Sequence, residues 1–400
     1  MSYLGKDLKG KELGTGLYQR PDGRYEAKAT IKGHKINLYD MNLKQLKIAF
    51  EKAKDEIRNG IDAKFKDITV DEWFEYWFEK YKEPSLKPTS VYPTKSRYKS
   101  TFGCALGELK LEQLRNVQVQ EVVNDLIKNG RATSSVRSSL GILRSCLESA
   151  KNNGIIRVNP SFDIMVPWSE NKQVLRRFLT AEERELFLKE ADNSYYKEMY
   201  YFMLCTGLRI GEVGGLFWSD IDFNKKVIHV ERSLSCQYEK GIKTQKLVLP
   251  KTANSIRDIP FMGGVESSLL AWKEKQDAYK KELGVRWRAG LDYKDLVFTT
   301  SLGSQVTRYI VERDMRNMVA NINAQRLFNG KPEIEPIYPH ALRHTFCSMC
   351  FERDMNPKVV QKIMGHANYS TTIDIYTHVT KDRVDLDIEK FGDAILDNEF

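Results

Sequence analysis

The stretch HALRHTFCSMC, His340 to Cys350, holds the densest cluster of reactive side chains in this sequence. His340 and His344 are spaced one helical turn apart, and Cys347 and Cys350 follow with a C-x-x-C spacing. Two histidines and two cysteines form the ligand set of many structural zinc sites. However, Arg343 stands between the two histidines, and a cation is an unfavourable neighbour for a dication. The stretch alone therefore leaves open a zinc site and a site for some other chemistry.

The composition of the chain is that of a multidomain, globular protein with a polyanionic partner. It has 400 residues, of which 41% are hydrophobic and 29% charged, and this length predicts two or three domains. The net charge of +9 favours nucleic acid, although an ordinary basic enzyme is compatible with it. The six cysteines have no framework spacing and are expected to be free thiols. The sequence has no apolar signal core and no membrane-length apolar run, so we expect a cytoplasmic protein without a membrane partner.

Residues 1–66 predict a three-stranded sheet with one helix packed on it. Tight-turn residues lie at 21–23 and 32–33, and apolar residues recur with helical spacing from Leu43 to Ile57. Basic side chains on an exposed sheet face suit the DNA major groove, which admits strands as well as helices. They equally suit the solvated face of any small sheet, so the residues leave both interpretations open. The candidate DNA contacts here are Arg20, Arg24 and Lys28.

Residues 67–165 predict a bundle of about four helices. Thr69 and Glu72 form a capping-box pattern before an aromatic-rich helix, whose aromatic residues are expected in the core. The basic segment 85–103 contains two prolines and several hydroxyls, and we interpret it as a loop and helix start that touches phosphates. The candidate DNA contacts in this part of the chain are Lys95, Arg97, Arg137 and Arg144.

The remainder of the chain predicts a second, larger folded part. Residues 166–179 are polar and basic without a clear period, and we interpret them as an interdomain linker. From Thr180, which is expected to cap a helix, the chain is predicted to be mostly helical with one β region. The expected strands lie within residues 226–235, 246–261 and 295–300. The sequence therefore predicts a multidomain protein that is mainly α with small β elements.

Arginine and histidine side chains in three segments have the chemistry of a phosphate site. Arg209 follows TGL and Arg343 lies in HALRH, and each guanidinium offers a planar fork of donors that matches two phosphate oxygens. Two such forks would neutralise a pentavalent phosphorane, which carries more negative charge than the diester from which it forms. His340 and His366 can donate hydrogen bonds or move a proton near neutral pH.

Two further residues complete a set for phosphoryl transfer. Tyr376 can attack phosphorus and form a covalent ester, and Lys251 on its flexible stem can protonate the leaving 5′-oxygen. No acidic pair or cluster of metal ligands accompanies the set in the sequence, so we expect neither a cofactor nor a metal. Tyr369 competes with Tyr376 for the role of nucleophile, and Lys243 and Lys246 lie just before Lys251.

Two charged residues and one histidine are expected to support this set without taking part in the chemistry. Glu212 follows Arg209 by one turn and is expected to orient its guanidinium. Arg257 is expected to pair with a carboxylate or a phosphate. His344, one turn after His340, is expected to be structural.

The order of these residues resembles that of the tyrosine recombinase family. The family pattern is an arginine in a TGLR context, a hairpin lysine, H-x-x-R, a GH histidine and then the nucleophilic tyrosine. This chain matches it with TGLR, HALRHTF and MGHANYSTTIDIYTHV over roughly residues 166–385. The resemblance implies a mixed α/β catalytic domain over residues 180–400. Its catalytic positions fall on Arg209, Lys251, His340, Arg343, His366 and Tyr376.

The N-terminal parts extend the resemblance to integrases of conjugative transposons and some temperate phages. The resemblance implies that residues 1–66 bind arm-type DNA sites, while residues 67–165 and the catalytic domain clamp the core site. It implies a site-specific recombinase that cuts each strand through a 3′-phosphotyrosine bond and exchanges strands through a Holliday junction. It further implies a homotetramer on DNA in the bacterial nucleoid, independent of ATP and metal and assisted by an excisionase and a host DNA-bending protein.

Other interpretations of parts of the sequence remain. The apolar residues of the C-terminal run, 381–400, recur with near-helical spacing, and this run is expected to pack on its own domain or, as the resemblance implies, to dock on a neighbouring subunit. A type IB topoisomerase shares the phosphoryl-transfer chemistry. A DNA-binding regulator without catalysis would share the basic charge, and a zinc protein would use the histidines and cysteines of the opening stretch.

Overall fold

A computed structural model describes the chain over residues 4–31, 34–58, 65, 67–167, 177–239, 242–249 and 256–380. The chain divides into two units, Met1–Asn171 and Lys172–Phe400. The finer division at residues 66, 165 and 179 stays a prediction. Four predicted features lie wholly or mostly outside the described residues: the turn at 32–33, the linker 166–179, Lys251 and the C-terminal run 381–400.

The first sheet and the helix after it form as the sequence predicts. The strands are β1 (Leu4–Lys6), β2 (Glu12–Thr15), β3 (Leu17–Gln19), β4 (Tyr25–Ile31) and β5 (His34–Asp40), and the helix is α1 (Leu43–Arg58). Strands β3, β4 and β5 form an antiparallel sheet in that order, and α1 buries Phe50 against Leu17 and Ala27 on one face of it. A separate ladder of β1 and β2 precedes the sheet, and the sequence pattern does not predict it because these strands are too short to show alternation.

A helical bundle with an aromatic core follows, as predicted. Its helices are α2 (Val70–Trp77), α3 (Pro88–Tyr98), α4 (Cys104–Leu106), α5 (Asn116–Lys128) and α6 (Thr133–Asn152). Thr69 caps α2 through the predicted capping box, in which its hydroxyl accepts the backbone N–H of Glu72 at 3.2 Å. Trp73 is buried in α2 and donates its indole N–H to the carbonyl of Cys146 in α6 at 3.0 Å.

Segment 85–103 contains the predicted helix start, at Pro88, but residues 88–103 are helical and little of the segment is a loop. Pro88 begins α3 in the first helical turn, where the missing N–H would have no partner in any case. The rest of the helix has low intrinsic propensity and contains a second proline, so packing has to stabilise it. Tyr98 supplies that packing, because it stacks on Phe74 with ring centroids 3.5 Å apart and donates a hydrogen bond to Asp71 at 2.6 Å.

In the described part of the second unit, the fold is mainly helical with two small sheets. Its helices are α7 (Ala181–Ala191), α8 (Lys197–Thr206), α9 (Ile210–Gly214), α10 (Gly263–Leu283), α11 (Arg308–Phe328), α12 (Pro339–Glu352), α13 (Pro357–Met364) and α14 (Tyr369–Thr380). Its strands are β6 (Ile221–Asp222), β7 (Val227–Val230), β8 (Ser233–Glu239), β9 (Ile242–Val248) and β10 (Arg257–Pro260). Strands β10, β7 and β6 form one antiparallel sheet in that order, while β8 and β9 form a hairpin. Helices α8 and α12 pack together in the core, and α13 and α14 contact α12.

Two of the three predicted β segments of this unit are confirmed, and the third is not a strand. Residues 295–300 make only single bridges, although Val297 and Phe298 are fully buried. Side chains of α10 satisfy the backbone here, since Trp272 and Gln276 both donate hydrogen bonds to the Val297 carbonyl. An apolar run buried in this way has the composition of a strand, but its backbone acceptors are taken by side chains.

Candidate active site

Arg343 connects the ends of two helices at the centre of the second unit. Pro339 starts α12, and Arg343 lies on its second turn with 2% of its surface exposed. Its Nη1 donates to the Gly207 carbonyl at the end of α8 at 2.6 Å, and its Nη2 donates to the Met364 carbonyl at the end of α13. Burial, with the charge of Arg209 nearby, lowers the pKa of this guanidinium to about 9, so the side chain remains a cation at neutral pH.

Arg209 lies beside this arginine and is held by an acidic partner, as predicted. It is the N-cap residue of α9, and its Nη1 donates to Oε1 of Glu212 at 2.7 Å while its backbone N–H donates to Oε2 at 3.0 Å. Its Nη2 donates to the Gly365 carbonyl at 3.1 Å. About a third of the side chain, 32%, remains exposed, so this guanidinium is accessible to a ligand.

Glu212 is shared with a second arginine, which confirms the prediction that Arg257 pairs with a carboxylate. Arg257 lies at the start of β10 and donates from Nη1 and Nη2 to the two Glu212 oxygens at 3.2 and 3.0 Å. Burial alone raises the pKa of the Glu212 carboxyl. The hydrogen bond and charge of Arg257, with the charges of Arg209 and Arg343, outweigh burial and hold that pKa at about 2.

The three arginines meet at one helix end. Nε of Arg257 donates to the Ile363 carbonyl at 2.6 Å, so the carbonyls of residues 363, 364 and 365 each accept a hydrogen bond from a different arginine. The last carbonyls of a helix lack partners within the helix and carry its negative dipole end, which favours cations there. The C-terminal turn of α13 therefore binds all three of these arginines.

The same turn leads to His366, one of the two predicted histidines. Gly365 follows α13 in the left-handed conformation, with φ +61°, and turns the chain so that His366 follows directly. His366 is 7% exposed, and its Nδ1 lies 2.9 Å from the hydroxyl of Thr372 on α14. This contact fixes the orientation of the ring.

His340 is half-buried at the start of α12, one turn before Arg343. Burial lowers the pKa of its imidazole, and the positive charges of Arg308, Arg343 and Arg209 lower it further. The ring is therefore neutral at pH 7 and can both donate and accept a hydrogen bond.

Tyr376 lies on α14, the helix that follows His366. Its ring packs edge-on against Phe351 of α12 at a centroid distance of 5.1 Å, and the side chain is half-buried. Tyr369 begins the same helix, where the ammonium of Lys358 lies 4.3 Å from the centre of its ring. The structure thus places the proposed nucleophile on an element that packs on α12 and α13, the helices that carry Arg343 and precede His366.

The two cysteines of the opening stretch are buried thiols, as predicted. Cys347 is fully buried and Cys350 is 5% exposed, and both belong to an apolar cluster with Phe351, Met364 and Ile375. Burial raises the pKa of the Cys350 thiol to about 12, so it remains protonated. In the part of the chain that the structure describes, no group of three or more histidine, cysteine or acidic residues is arranged to hold a metal ion.

The DNA-contact candidates of the first domain lie on its exposed sheet face and turn. Lys28 is exposed on β4 and pairs with Glu26 at 2.7 Å, while Arg24 pairs with Asp22 at 2.7 Å. Arg20 lies with its guanidinium 5.5 Å from the centre of the Tyr39 ring, also on this face. The face therefore combines basic and aromatic side chains.

The candidates of the helical bundle differ from one another in their environment. Arg97 and Arg137 are exposed. Lys95 donates a hydrogen bond to Glu75 at 2.6 Å. Arg144 is half-buried, and its Nη2 donates to the Ser161 carbonyl at 3.2 Å, so it stabilises the bundle whatever its role on DNA.

Replacement of Gly207 tests how closely the ends of α8 and α13 must approach each other in the active site. It has φ +64°, and a Cβ atom there would meet the Phe346 ring and lie 2.9 Å from the Met364 sulfur. We expect Gly207→Ala to destabilise the fold by about 2–4 kcal/mol through backbone strain and overpacking, as measured by urea denaturation. Gly141→Ala is the control, because this helical glycine has no atom within 4 Å of an added Cβ. An unchanged stability of Gly207→Ala would contradict the close packing.

The Glu212 carboxylate, which Arg209 and Arg257 share, makes the stability of the fold depend on pH. The pKa of Glu212 is lowered from 4.5 to about 2 in the folded state, so its contribution is complete above pH 4.5 and is lost as the pH falls towards 2. We expect the stability difference between the native chain and Glu212→Gln to shrink by as much as about 3 kcal/mol over this range. Unfolding midpoints between pH 6 and pH 2 measure it, and Glu274→Gln, on the exposed face of α10, is the control. A constant difference would refute the coupling.

Comparison with known proteins assigns the chain that forms this site to a family. Residues 177–383 match the model of the phage integrase family, and this is just over half of the chain. The chain belongs to the phage integrase family. It is therefore a tyrosine recombinase, an enzyme that transfers DNA strands, and the resemblance found in the sequence is confirmed. A second model, the SAM-like N-terminal domain of phage integrases, matches residues 69–127 of this integrase.

Two relatives align with the integrase over most of its length. A XerC-like tyrosine recombinase of Caldanaerobacter subterraneus is 27% identical over 90% of this chain and 91% of its own. A transposase from transposon Tn916 of Enterococcus faecalis is 26% identical over 96% of this chain and 95% of its own.

Solved structures share the fold. An integrase of transposon Tn1549 in complex with a circular intermediate DNA covers 81% of this chain and 99% of its own, with a TM-score of 0.65 at 21% identity. A lambda integrase dimer on a core site covers 90% of this chain and 94% of its own, with a TM-score of 0.54 at 18% identity. The predicted fold class is thereby confirmed. Within the described residues, no helix is both long and apolar enough to cross a bilayer.

Proposed function

We propose that this integrase integrates and excises a mobile element, with Tyr376 as its nucleophile. The observation that supports this most directly is the convergence of Arg209, Arg343 and His366 on residues 363–366, next to the helix that carries Tyr376. Positive charge concentrated at one point favours the extra negative charge of a phosphorane. The transposase of Tn916 and the Tn1549 integrase, both similar to this chain, support the assignment to a mobile element.

In the proposed cleavage step, the hydroxyl oxygen of Tyr376 attacks the scissile phosphorus. A bond forms from the tyrosine oxygen to the 3′-phosphate, and the bond to the 5′-oxygen breaks, with Lys251 supplying the proton that this leaving oxygen needs. Arg209 and Arg343 donate to the non-bridging oxygens. His340, which is neutral at pH 7, is able to accept the tyrosine proton or to donate to an oxygen, and His366 donates a hydrogen bond to an oxygen of the phosphate.

Strand exchange is the reverse reaction with a different hydroxyl. The 5′-hydroxyl of the partner duplex attacks the phosphotyrosine, a new phosphodiester forms, and Tyr376 leaves and recovers its proton. The phosphotyrosine ester conserves the bond energy, so the proposed reaction needs no ATP. Two exchanges in succession pass through a Holliday junction, a DNA form to which a lambda integrase tetramer binds in a solved structure of the same fold.

The proposed assembly is a homotetramer on two duplexes in the bacterial nucleoid. Residues 1–66 bind arm-type sites in this scheme, and residues 67–165 and 180–400 close around the core site. An excisionase and a host DNA-bending protein are proposed as accessory partners that bring arm and core sites together. The net charge of +9 supports binding to a polyanion over this length of chain.

Sequencing the junctions made when the purified integrase joins or excises a marked element tests the proposal. The expected result is a precise exchange between two duplexes with one defined overlap. Relaxation of supercoiled DNA without exchange between duplexes would instead support a topoisomerase. DNA binding without any covalent adduct would support a regulator, and either result overturns the proposal.

The basic sheet face of the first domain has its own test. We expect glutamine at Arg20, Arg24 and Lys28 to weaken binding to arm-type duplexes and to reduce the slope of affinity against salt by about 1 for each phosphate that is no longer bound. Cleavage of a core-site substrate should not change. The control removes the same charge from the exposed residues Lys44, Lys47 and Lys52 of α1. Equal weakening of arm binding in both variants would show a non-specific effect of charge.

A further inference from the structure

Arg257 has no place in the phosphate-binding set, yet from β10 it is hydrogen-bonded to two other elements that build the site. It is 8% exposed, and its guanidinium fork holds both oxygens of Glu212 on α9 while its Nε donates to the Ile363 carbonyl on α13. An arginine is suited to this because its donors lie in one plane in a fixed arrangement. The residue therefore fixes β10, α9 and α13 relative to one another.

The Glu212 carboxylate is shared equally between two arginines. Oε1 accepts from Nη1 of Arg209 and from Nη1 of Arg257, and Oε2 accepts from the Arg209 backbone N–H and from Nη2 of Arg257. A carboxylate has about four lone-pair sites, so these donors fill its capacity. Only 4% of Glu212 is exposed, so water cannot freely replace a donor that is removed.

Removal of Arg257 would lower the positive potential that Arg209 presents to a phosphate, because Glu212 would offset more of its charge. The buried carboxylate would then attract Arg209 with little competition, and attraction between buried charges is stronger than in water. A guanidinium neutralised in this way donates less effectively to a phosphorane, whose charge develops only in the transition state. The ground-state affinity for DNA, to which many other residues contribute, would change much less.

We propose that Arg257 is a positioning residue for strand cleavage. It takes up half of the hydrogen-bonding capacity of Glu212, so that the carboxylate offsets less of the positive charge that Arg209 presents to the scissile phosphate. It also holds the end of α13, from which the chain leads to His366. The inference rests on the proposed function, in which Arg209 binds that phosphate.

The test compares single-turnover cleavage of a nicked suicide substrate with DNA affinity. We expect Arg257→Gln to form the covalent adduct at least about tenfold more slowly at saturating protein, with little change in affinity for the core site. Arg326→Gln is a matched control, because Arg326 also joins a carboxylate, Glu182 at 2.6 Å, and a backbone carbonyl, Pro332 at 2.7 Å, outside the site. A reduction of less than tenfold in Arg257→Gln overturns the inference.

A second substitution separates charge control from simple structural support. Glutamine at Glu212 removes the carboxylate that competes for Arg209, so the double variant Arg257→Gln with Glu212→Gln should cleave faster than Arg257→Gln alone. If Arg257 only stabilises the fold, the double variant has one stabilising interaction fewer and cleaves no faster. An unchanged or slower rate in the double variant therefore overturns the inference.

Two further measurements keep the outcome unambiguous. If thermal unfolding shows that Arg257→Gln is not folded, Arg257→Lys replaces it, because an ammonium group cannot bind both Glu212 oxygens and the Ile363 carbonyl in one plane. The same tenfold criterion applies to that variant. Absence of an adduct with the unaltered chain would refute the proposed function, whereas a normal adduct with an unaffected Arg257 variant refutes this inference alone.

Discussion

Tyr376→Phe is expected to form no covalent protein–DNA adduct on a nicked suicide substrate, while it binds the same DNA as tightly as the native integrase. Phenylalanine lacks the hydroxyl oxygen that bonds to phosphorus, so the covalent step has no nucleophile. The ring remains, and with it the edge-on packing against Phe351 at 5.1 Å, so the helix and its position should be retained. Denaturing gel electrophoresis of end-labelled substrate measures the adduct directly.

Tyr369→Phe is the matched control for this experiment. Tyr369 lies two turns earlier on the same helix, where its ring meets Lys358, and the substitution removes the same single atom. We expect adducts at the native level. Persistent adducts in Tyr376→Phe together with their disappearance in Tyr369→Phe would move the nucleophile to Tyr369 and overturn the assignment.

Arg343→Lys is expected to lower the rate of adduct formation by about 10²–10³-fold, the usual cost of removing one preorganised donor to a developing oxyanion. The substitution keeps the charge but removes the fork, which donates to the Gly207 and Met364 carbonyls at two helix ends. A lysine ammonium cannot reach both carbonyls and a phosphate oxygen in the fixed plane of a guanidinium. Single-turnover cleavage at saturating protein measures the effect separately from binding.

Arg353→Lys, at the end of the same helix, is the control for Arg343→Lys. Arg353 is exposed and donates to the Met349 carbonyl at 3.1 Å, an interaction within its own helix. We expect its cleavage rate to match that of the native chain. Cleavage by Arg343→Lys at the native rate would show that a point charge at this position suffices and would exclude a bidentate role.

Local patterns in the sequence predicted those elements whose signals are local. The capping box at Thr69 and the cap at Thr180 form as expected, because a cap involves only residues a few positions apart. The same reasoning underestimated how much of segment 85–103 is helical, and it failed for residues 295–300. Stacking of Tyr98 on Phe74 stabilises the first segment as a helix, and Trp272 of α10 binds the backbone of the second. Both Phe74 and Trp272 are distant in sequence from the segments that they stabilise.

The sequence by itself determined the family and the candidate catalytic residues, because the types and the order of the reactive side chains are written in it. It also determined that Glu212 would orient Arg209, since the two are one turn apart. Only the tertiary structure decided that Arg257 shares that carboxylate and that three arginines bind the carbonyls of residues 363–365. Backbone carbonyls are the same in every residue, so their use as ligands leaves no trace in a sequence and emerges only when distant segments are packed together.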